Sequence, residues 1–319
     1  MRPLDKIFKS SDFPDLLVGI NPADDAAVWK IDDSRSLVLT TDFFTPIVDE
    51  PYDYGAIAAA NSLSDIYAMG ATPLLALNIA AFPPALPAEI LSQIVLGAAE
   101  KAREAGIVIA GGHTIQDQEP KFGLVVLGII ETSSLLKKSA LQVGDEILIT
   151  KPLGIGVTTT ALKSGKASRE NIDLAKKWMK MLNAGPSQIS TRLGLKAATD
   201  VTGFSLLGHL WEMVSSSNLA AEINFDAIPF LESAYFYGNQ WLFAGGAFNN
   251  RQFYEKEVVY IKNIDDVSKM LMFDPQTSGG LLIACPPDKL AAFHSEAQQL
   301  NIQYWKIGRI VEGNKIFIK

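Results

Sequence analysis

Several short phrases in this chain bring oxygen donors together in patterns that could do chemistry. Asp24 and Asp25 are adjacent and precede the apolar run Ala26-Ala27-Val28. Neighbouring strand residues face opposite ways, so only one of these carboxylates could point inward; a solvated turn is the other reading. Asp42 follows Thr40-Thr41 and precedes Phe43-Phe44. It reads either as a ligand-facing carboxylate at a strand end or as a turn Asp bonded to nearby backbone N–H groups. Asn61 and Asp65 are four apart and share one helix face. Their helix is almost wholly apolar or small, which puts Asp65 at risk of burial, and an unpaired buried carboxylate costs several kcal/mol or takes up a proton. No Lys or Arg stands between Arg35 and Lys101. A metal would remove the penalty; so would a distant Arg. Gly111-Gly112-His113-Thr114 pairs two glycines, which let backbone approach an anion closely or simply form a tight turn. Asp200 sits in Thr199-Asp200-Val201-Thr202-Gly203, just before a helix, where it could be a cap or a carboxylate beside a positive helix end.

Together these phrases give Asp25, Asp42, Asp65 and Asp200 at strand ends or helix faces. Oxygen-rich sites without Cys or His clusters select hard cations such as Mg²⁺, which in turn bind substrate phosphates. Carboxylates alone would repel a triphosphate, whereas shared cations turn the repulsion into a clamp. The residues themselves lead to metal and nucleotide phosphate and stop there. Lys151-Pro152-Leu153-Gly154-Ile155-Gly156 lacks the spacing of a P-loop; it reads as a structural turn, with a phosphate-facing role left open. Asp274-Pro275-Gln276-Thr277-Ser278-Gly279-Gly280 is similar punctuation with a polar tip.

The elements that must position these groups follow from pattern. Strands are expected near 37–41, 75–79, 107–110, 123–128, 145–150, 281–285 and 305–310. Helices are expected over 55–69, 87–105, 170–183 and 204–215, with Gly70, Pro73 and Gly106 as stop signals. Strands and helices mix in both halves, so an α+β protein of two domains is expected, 1–142 and 143–319.

Composition removes other classes. With 28 basic and 35 acidic residues the net charge is −7, a poor basis for binding nucleic acid or an anionic membrane. One cysteine, Cys285, excludes an intramolecular disulfide; its apolar run reads as a buried, inert thiol. No apolar stretch reaches the length of about 20 residues that spans a bilayer, and Met1-Arg2-Pro3-Leu4-Asp5-Lys6 has no apolar signal core. The expected location is the cytoplasm.

The whole series of phrases resembles selenophosphate synthetase (selenide, water dikinase). The matching segments are Asp24 to Val28, Thr40 to Phe44, Ala58 to Asp65, Gly111 to Thr114, Glu119 to Lys121, Lys151 to Gly156, Thr199 to Phe204, Leu207 to Leu210 and Asp274 to Gly280, in that family's order. The resemblance implies a two-domain fold like aminoimidazole ribonucleotide synthetase, a homodimer formed through the N-terminal domain, and synthesis of selenophosphate from ATP, selenide and water with release of AMP and phosphate. It implies Mg²⁺ ligands at Asp25, Asp65 and Asp200. It implies ATP contacts at Pro22, Ala23, Asp24, Asp42, Asp65, Gly112, His113 and Thr114. Ser205 stands where that family usually has Gly, a departure expected to be minor. Sister proteins of the same fold, such as phosphoribosyl-aminoimidazole synthetase or thiamine-phosphate kinase, fit the Thr40 to Phe44 and Asp274 to Gly280 phrases less well. An ATP-binding dimer without turnover, acting as partner or sensor, is the non-enzymatic alternative.

The resemblance also implies a glycine-rich segment with a Cys or selenocysteine and a Lys, both catalytic, upstream of Met1. Lys6 and Lys9 do not match that Lys, and Cys285 lies elsewhere. The expectation is a segment lost by truncation, or hidden by a selenocysteine codon read as a stop, with turnover of the present chain impaired. The DNA upstream of Met1 decides between these.

Overall fold

The computed structural model describes residues 4, 7–8, 10–21 and 23–319. The chain divides into two compact units: residues 1–136 with 182–187, and residues 137–181 with 188–319.

Among its described residues the N-terminal unit holds a six-stranded sheet and two long helices. Its strands are β1 (Leu16–Val18), β2 (Ala27–Lys30), β3 (Arg35–Phe44), β4 (Thr72–Phe82), β5 (Val108–Gln116) and β6 (Lys121–Glu131), in the order β1-β2-β3-β6-β4-β5. All neighbours are antiparallel except β4 and β5. Helix α1 (Pro51–Ala68) has Pro51 in its first turn, where a missing N–H costs nothing, so it begins a turn earlier than its apolar pattern suggests. Helix α2 is Ala88–Glu104. The two helices cross at backbone contact. A Cβ on Gly55 would fall 1.8 Å from the Ile94 carbonyl oxygen, and one on Gly97 would fall 2.0 Å from that of Tyr52.

The sheet's alternation shows which face the helices cover. In β3, Ser36, Val38 and Thr40 are buried, while Leu39 and Phe43 on the opposite side are each 48% exposed. Leu77 of β4 is likewise exposed. One face of the sheet is therefore apolar and open.

The C-terminal unit holds a seven-stranded sheet. Its strands are β7 (Glu146–Ile149), β8 (Ala197–Asp200), β9 (Ala220–Ile223), β10 (Val258–Tyr260), β11 (Leu281–Cys285), β12 (Trp305–Val311) and β13 (Ile316–Ile318), in the order β10-β13-β9-β12-β7-β11-β8. The helices are α3 (Ile155–Lys163), α4 (Arg169–Lys180), α5 (Ala184–Arg192, whose residues up to Ser187 count with the N-terminal unit), α6 (Ser205–Ser217), α7 (Glu232–Gly238), α8 (Gly245–Tyr254), α9 (Asp266–Met272) and α10 (Leu290–Gln299). Ile149, Leu207, Leu210, Phe273, Leu282 and Ile307 sit in its core. Cys285 is buried, and burial pushes its thiol up to about 11, as befits an inert packing residue.

Helix α6 opens on an unusual residue. Ser205 has φ +69, is fully buried, and its hydroxyl has no hydrogen-bond partner among the described residues. The left-handed conformation explains a Gly preference here, and the departure is more than minor.

Two substitutions test these backbone constraints. Helix propensity alone would make Gly55→Ala stabilising by about 1 kcal/mol. The clash with Ile94 dominates, and a loss of about 2 kcal/mol or more is expected in denaturant unfolding. Ser205→Gly relieves strain of about 1–2 kcal/mol and an unpartnered hydroxyl, against about 1 kcal/mol of added chain freedom. A net gain of about 1 kcal/mol and a higher melting temperature are expected; an unchanged or lower melting temperature would show that Ser205 is not strained.

Candidate active site

In the N-terminal unit two of the acidic phrases, those of Asp42 and Asp65, meet where α1 lies on β3. From Tyr54 to Met69 every residue is buried except Asp65, which is half-buried. The Thr40 hydroxyl donates to Asp65 Oδ2 at 2.5 Å. One turn earlier on α1, the Asn61 amide donates to the Asp42 carboxylate. Thr40 and Asp42 share a face of β3 because strand side chains alternate, and Asn61 and Asp65 share a face of α1 because they are four apart. Burial pushes the Asp42 carboxyl above its ordinary range, opposed by Asn61 and by the Phe43 N–H.

Ser62 locks this corner. Its hydroxyl lies 3.0 Å from the carbonyls of both Asp42 and Ala58, which share its single proton, and it accepts from Leu124 N–H (3.1 Å). It thus stands inside the β3–β6 ladder at the pair Asp42–Leu124. Gly123 beside it has no side chain because a Cβ there would fall 1.9 Å from the Asp42 carbonyl oxygen. Thr40, Ser62 and Gly123 are not singled out by the sequence reading; the period-2 pattern Ser36-Val38-Thr40-Asp42 is the signal that could have found Thr40.

Asp24 and Asp25 are both half-buried, and the Asp25 N–H donates to Asp24 Oδ1 at 3.0 Å. Ala23 is exposed. Pro22, Lys6 and Lys9 lie outside the described residues. Gly111 to Thr114 do not form a turn: they continue β5, the edge strand. Gly112 is needed because a Cβ would meet the Asn78 carbonyl oxygen at 2.2 Å. The registers Asp42–Leu124, Leu124–Asn78 and Asn78–Gly112 place Asp42 and Gly112 on one transverse row of the sheet. Three strand spacings separate them, about 14 Å. His113 and Thr114 follow on the same exposed edge.

In the C-terminal unit, Asp200 ends β8 and is buried. The loop after it rests on the Asp274 to Gly280 turn. Val201 N–H donates to the Gly280 carbonyl (2.9 Å), and Gln276 N–H donates to the Thr202 carbonyl (3.0 Å). The same turn caps α3. Asp274 Oδ2 accepts from Val157 N–H, and Gln276 Oε1 accepts from the N–H groups of Gly154 and Ile155, each at 3.1 Å. A Cβ on Gly156 would fall 2.6 Å from Asp274 Oδ1, so that glycine makes room for the carboxyl. Lys151 Nζ, buried, donates to the carbonyls of Met181 (2.6 Å) and Ser278 (2.8 Å). The Lys151 to Gly156 segment is therefore structural: its lysine and its helix N–H groups are taken up by the chain itself. Among the described residues no group of three or more His, Cys, Asp or Glu side chains is gathered within either unit.

Comparison with known proteins agrees with this architecture. Residues 23–130 match the family described as AIR synthase related protein, N-terminal domain, and residues 142–319 its C-terminal domain. A selenide, water dikinase of Carboxydothermus hydrogenoformans is 46% identical over 95% of this chain and 88% of its own length. The Pseudomonas aeruginosa protein of the same name is 43% identical over 96% and 88%, and that of Clostridioides difficile 39% over 99% and 91%. Among solved structures, the thiamine-monophosphate kinase of Stenotrophomonas maltophilia superposes with a TM-score of 0.71 at 21% identity, covering 97% of this chain and 93% of its own. A HypE hydrogenase maturation protein in complex with ATP gives 0.68 at 18%, covering 99% and 90%. These last two show the two-domain AIR synthase-like α+β fold, and the sequence relationship narrows it: this chain belongs to the selenide, water dikinase family.

Proposed function

We propose that this chain makes selenophosphate from selenide, ATP and water in the cytoplasm, releasing AMP and phosphate, and that the Asp42–Asn61 and Thr40–Asp65 pairs are the fixed floor of its nucleotide site. The observation that carries this reading is the row linking Asp42 to Gly112: carboxylates at one end and a glycine edge strand at the other, the scale of a nucleotide. Pro22, Ala23, Asp24, Asp42, Asp65, Gly112, His113 and Thr114 are the proposed ATP contacts.

The donor set suits Mg²⁺, because the groups at hand are carboxylate and hydroxyl oxygens. Asp25 and Asp65 are the proposed Mg²⁺ ligands of the N-terminal unit, and Asp200 is the proposed ligand of the C-terminal unit. Bound Mg²⁺ would neutralise charge that develops on the phosphates. The chain's own contribution is to orient: Thr40 donates to one Asp65 oxygen, and Asn61 holds Asp42 in place. Burial raises the Asp42 carboxyl, and a cation there would restore its charged form.

A homodimer is proposed through the open apolar face of the N-terminal sheet. Leu39, Phe43 and Leu77 leave a surface of the kind that marks a protein–protein interface.

Selenide-dependent release of AMP from ATP tests the activity. ATP binding without any AMP would favour the non-turnover alternative. In calorimetry with Mg-ATP, Asp65→Asn and Asp200→Asn are each expected to weaken binding about 10- to 100-fold; wild-type affinity in both would remove the cation assignments. Light scattering is expected to give the mass of two chains, and a monomer at working concentration would leave the apolar face unexplained by self-association.

A further inference from the structure

The phrase Leu207-Gly208-His209-Leu210 has no place in the site described so far. The structure shows what it does within the C-terminal unit. Gly208 lets aromatic rings pack against α6: a Cβ there would fall 2.8 Å from the Tyr254 ring and 2.9 Å from Phe204 Cβ. His209 is 4% exposed. Its Nε2 lies 3.1 Å from the Thr202 hydroxyl. Its Nδ1 lies 3.4 Å from Glu212 Oε2, without the alignment of a good hydrogen bond. Lys138 Nζ donates to the same oxygen at 3.0 Å. Burial alone would raise Glu212, but His209 and Lys138 overcome it and hold the carboxyl at about 2. The carboxylate is therefore charged at neutral pH.

A carboxylate facing Nδ1 favours the imidazole tautomer with its proton there, since a lone pair on Nδ1 would be repelled. In the neutral ring Nε2 is then an acceptor, and the Thr202 hydroxyl donates to it. The Thr202 backbone is fixed as well, because its carbonyl accepts from Ser205 and Gln276 N–H, each at 3.0 Å. Asn250 holds the next residue through the Gly203 carbonyl at 2.9 Å. Thr202 is half-buried, with Gly203 and Phe204 exposed beside it.

We propose that His209 is a positioning residue that turns the Thr202 hydroxyl proton inward, so that Thr202 presents only oxygen lone pairs on the open side of the Asp200 loop, where it takes a hydrated divalent cation. The inference rests on the reading that Asp200 carries a cation. A hydroxyl that shows only lone pairs suits a cation or the water on it, and does not suit a phosphate oxygen, which needs a donor.

Two measurements on the full chain test it. Side-chain ¹H–¹⁵N correlation reads the tautomer without metal or substrate, with His209→Asn assigning the signal among three histidines. The Nδ1–H form is expected at His209, and the Nε2–H form would overturn the proposal. Titration with Mg²⁺ in the presence of ATP is expected to show about 10-fold weaker cation binding for Thr202→Val, with Thr202→Ser close to wild type. Equal cation affinity in Thr202→Val and wild type would overturn it. Loss of cation dependence in the wild type, or none in Asp200→Asn, would sink the underlying reading while leaving the tautomer result standing.

Discussion

Everything in the N-terminal unit turns on keeping two carboxylates at the border of an apolar layer. Helix α1 is buried along most of its length, and after its first turn the only break is Asp65. Placing Asp42 and Asp65 there costs desolvation energy, and a lone buried charge would not persist. Thr40 and Asn61 offset that cost with one donor each. The same bonds fix the side chains, so the compensation for burial is also the means of orientation. Helix α1 can serve this purpose only because Gly55 and Gly97 let α2 hold it at backbone contact, and because Ser62 ties it to both β3 and β6.

The C-terminal unit solves a different problem. Asp200 ends an edge strand, and its loop has no sheet partner beyond β8. Support comes from a turn that is distant in sequence, Asp274 to Gly280, which binds the loop on one side and the start of α3 on the other. Lys151 locks the turn from below. Motifs that look like independent sites in the sequence thus form one scaffold.

Much of this was legible in the residues. The α+β class and the main strands and helices follow from period and punctuation, and the shared face of Asn61 and Asp65 follows from helical spacing. What was not legible depends on partners far away in sequence. Asp65 reads as a buried carboxylate in need of a cation, and only the fold shows Thr40 beside it. Gly111-Gly112 reads as a close backbone approach to an anion or as a tight turn, because a glycine pair has the same signature whether the chain bends or a neighbour comes close; the Asn78 carbonyl decides for the strand. Lys138 sits in a polar stretch that suggests an exposed connection, yet it is buried against Glu212. Ser205 looks like a mild change from Gly until its φ is known.

The cap on α3 has a further consequence. Asp274 is fully buried, and burial pushes its carboxyl up to about 7, only partly opposed by Val157 N–H and Gln276. In the unfolded chain the same group titrates near 3.8. Between these two values the native state holds a proton that the open chain has released, so folding of this unit is a proton-uptake reaction. The stabilisation is complete below about pH 4 and fades as the medium approaches neutrality. A scaffold that supports an acidic site from behind is thus itself sensitive to acidity, with the opposite sign to the carboxylate loss that unfolds most proteins in acid.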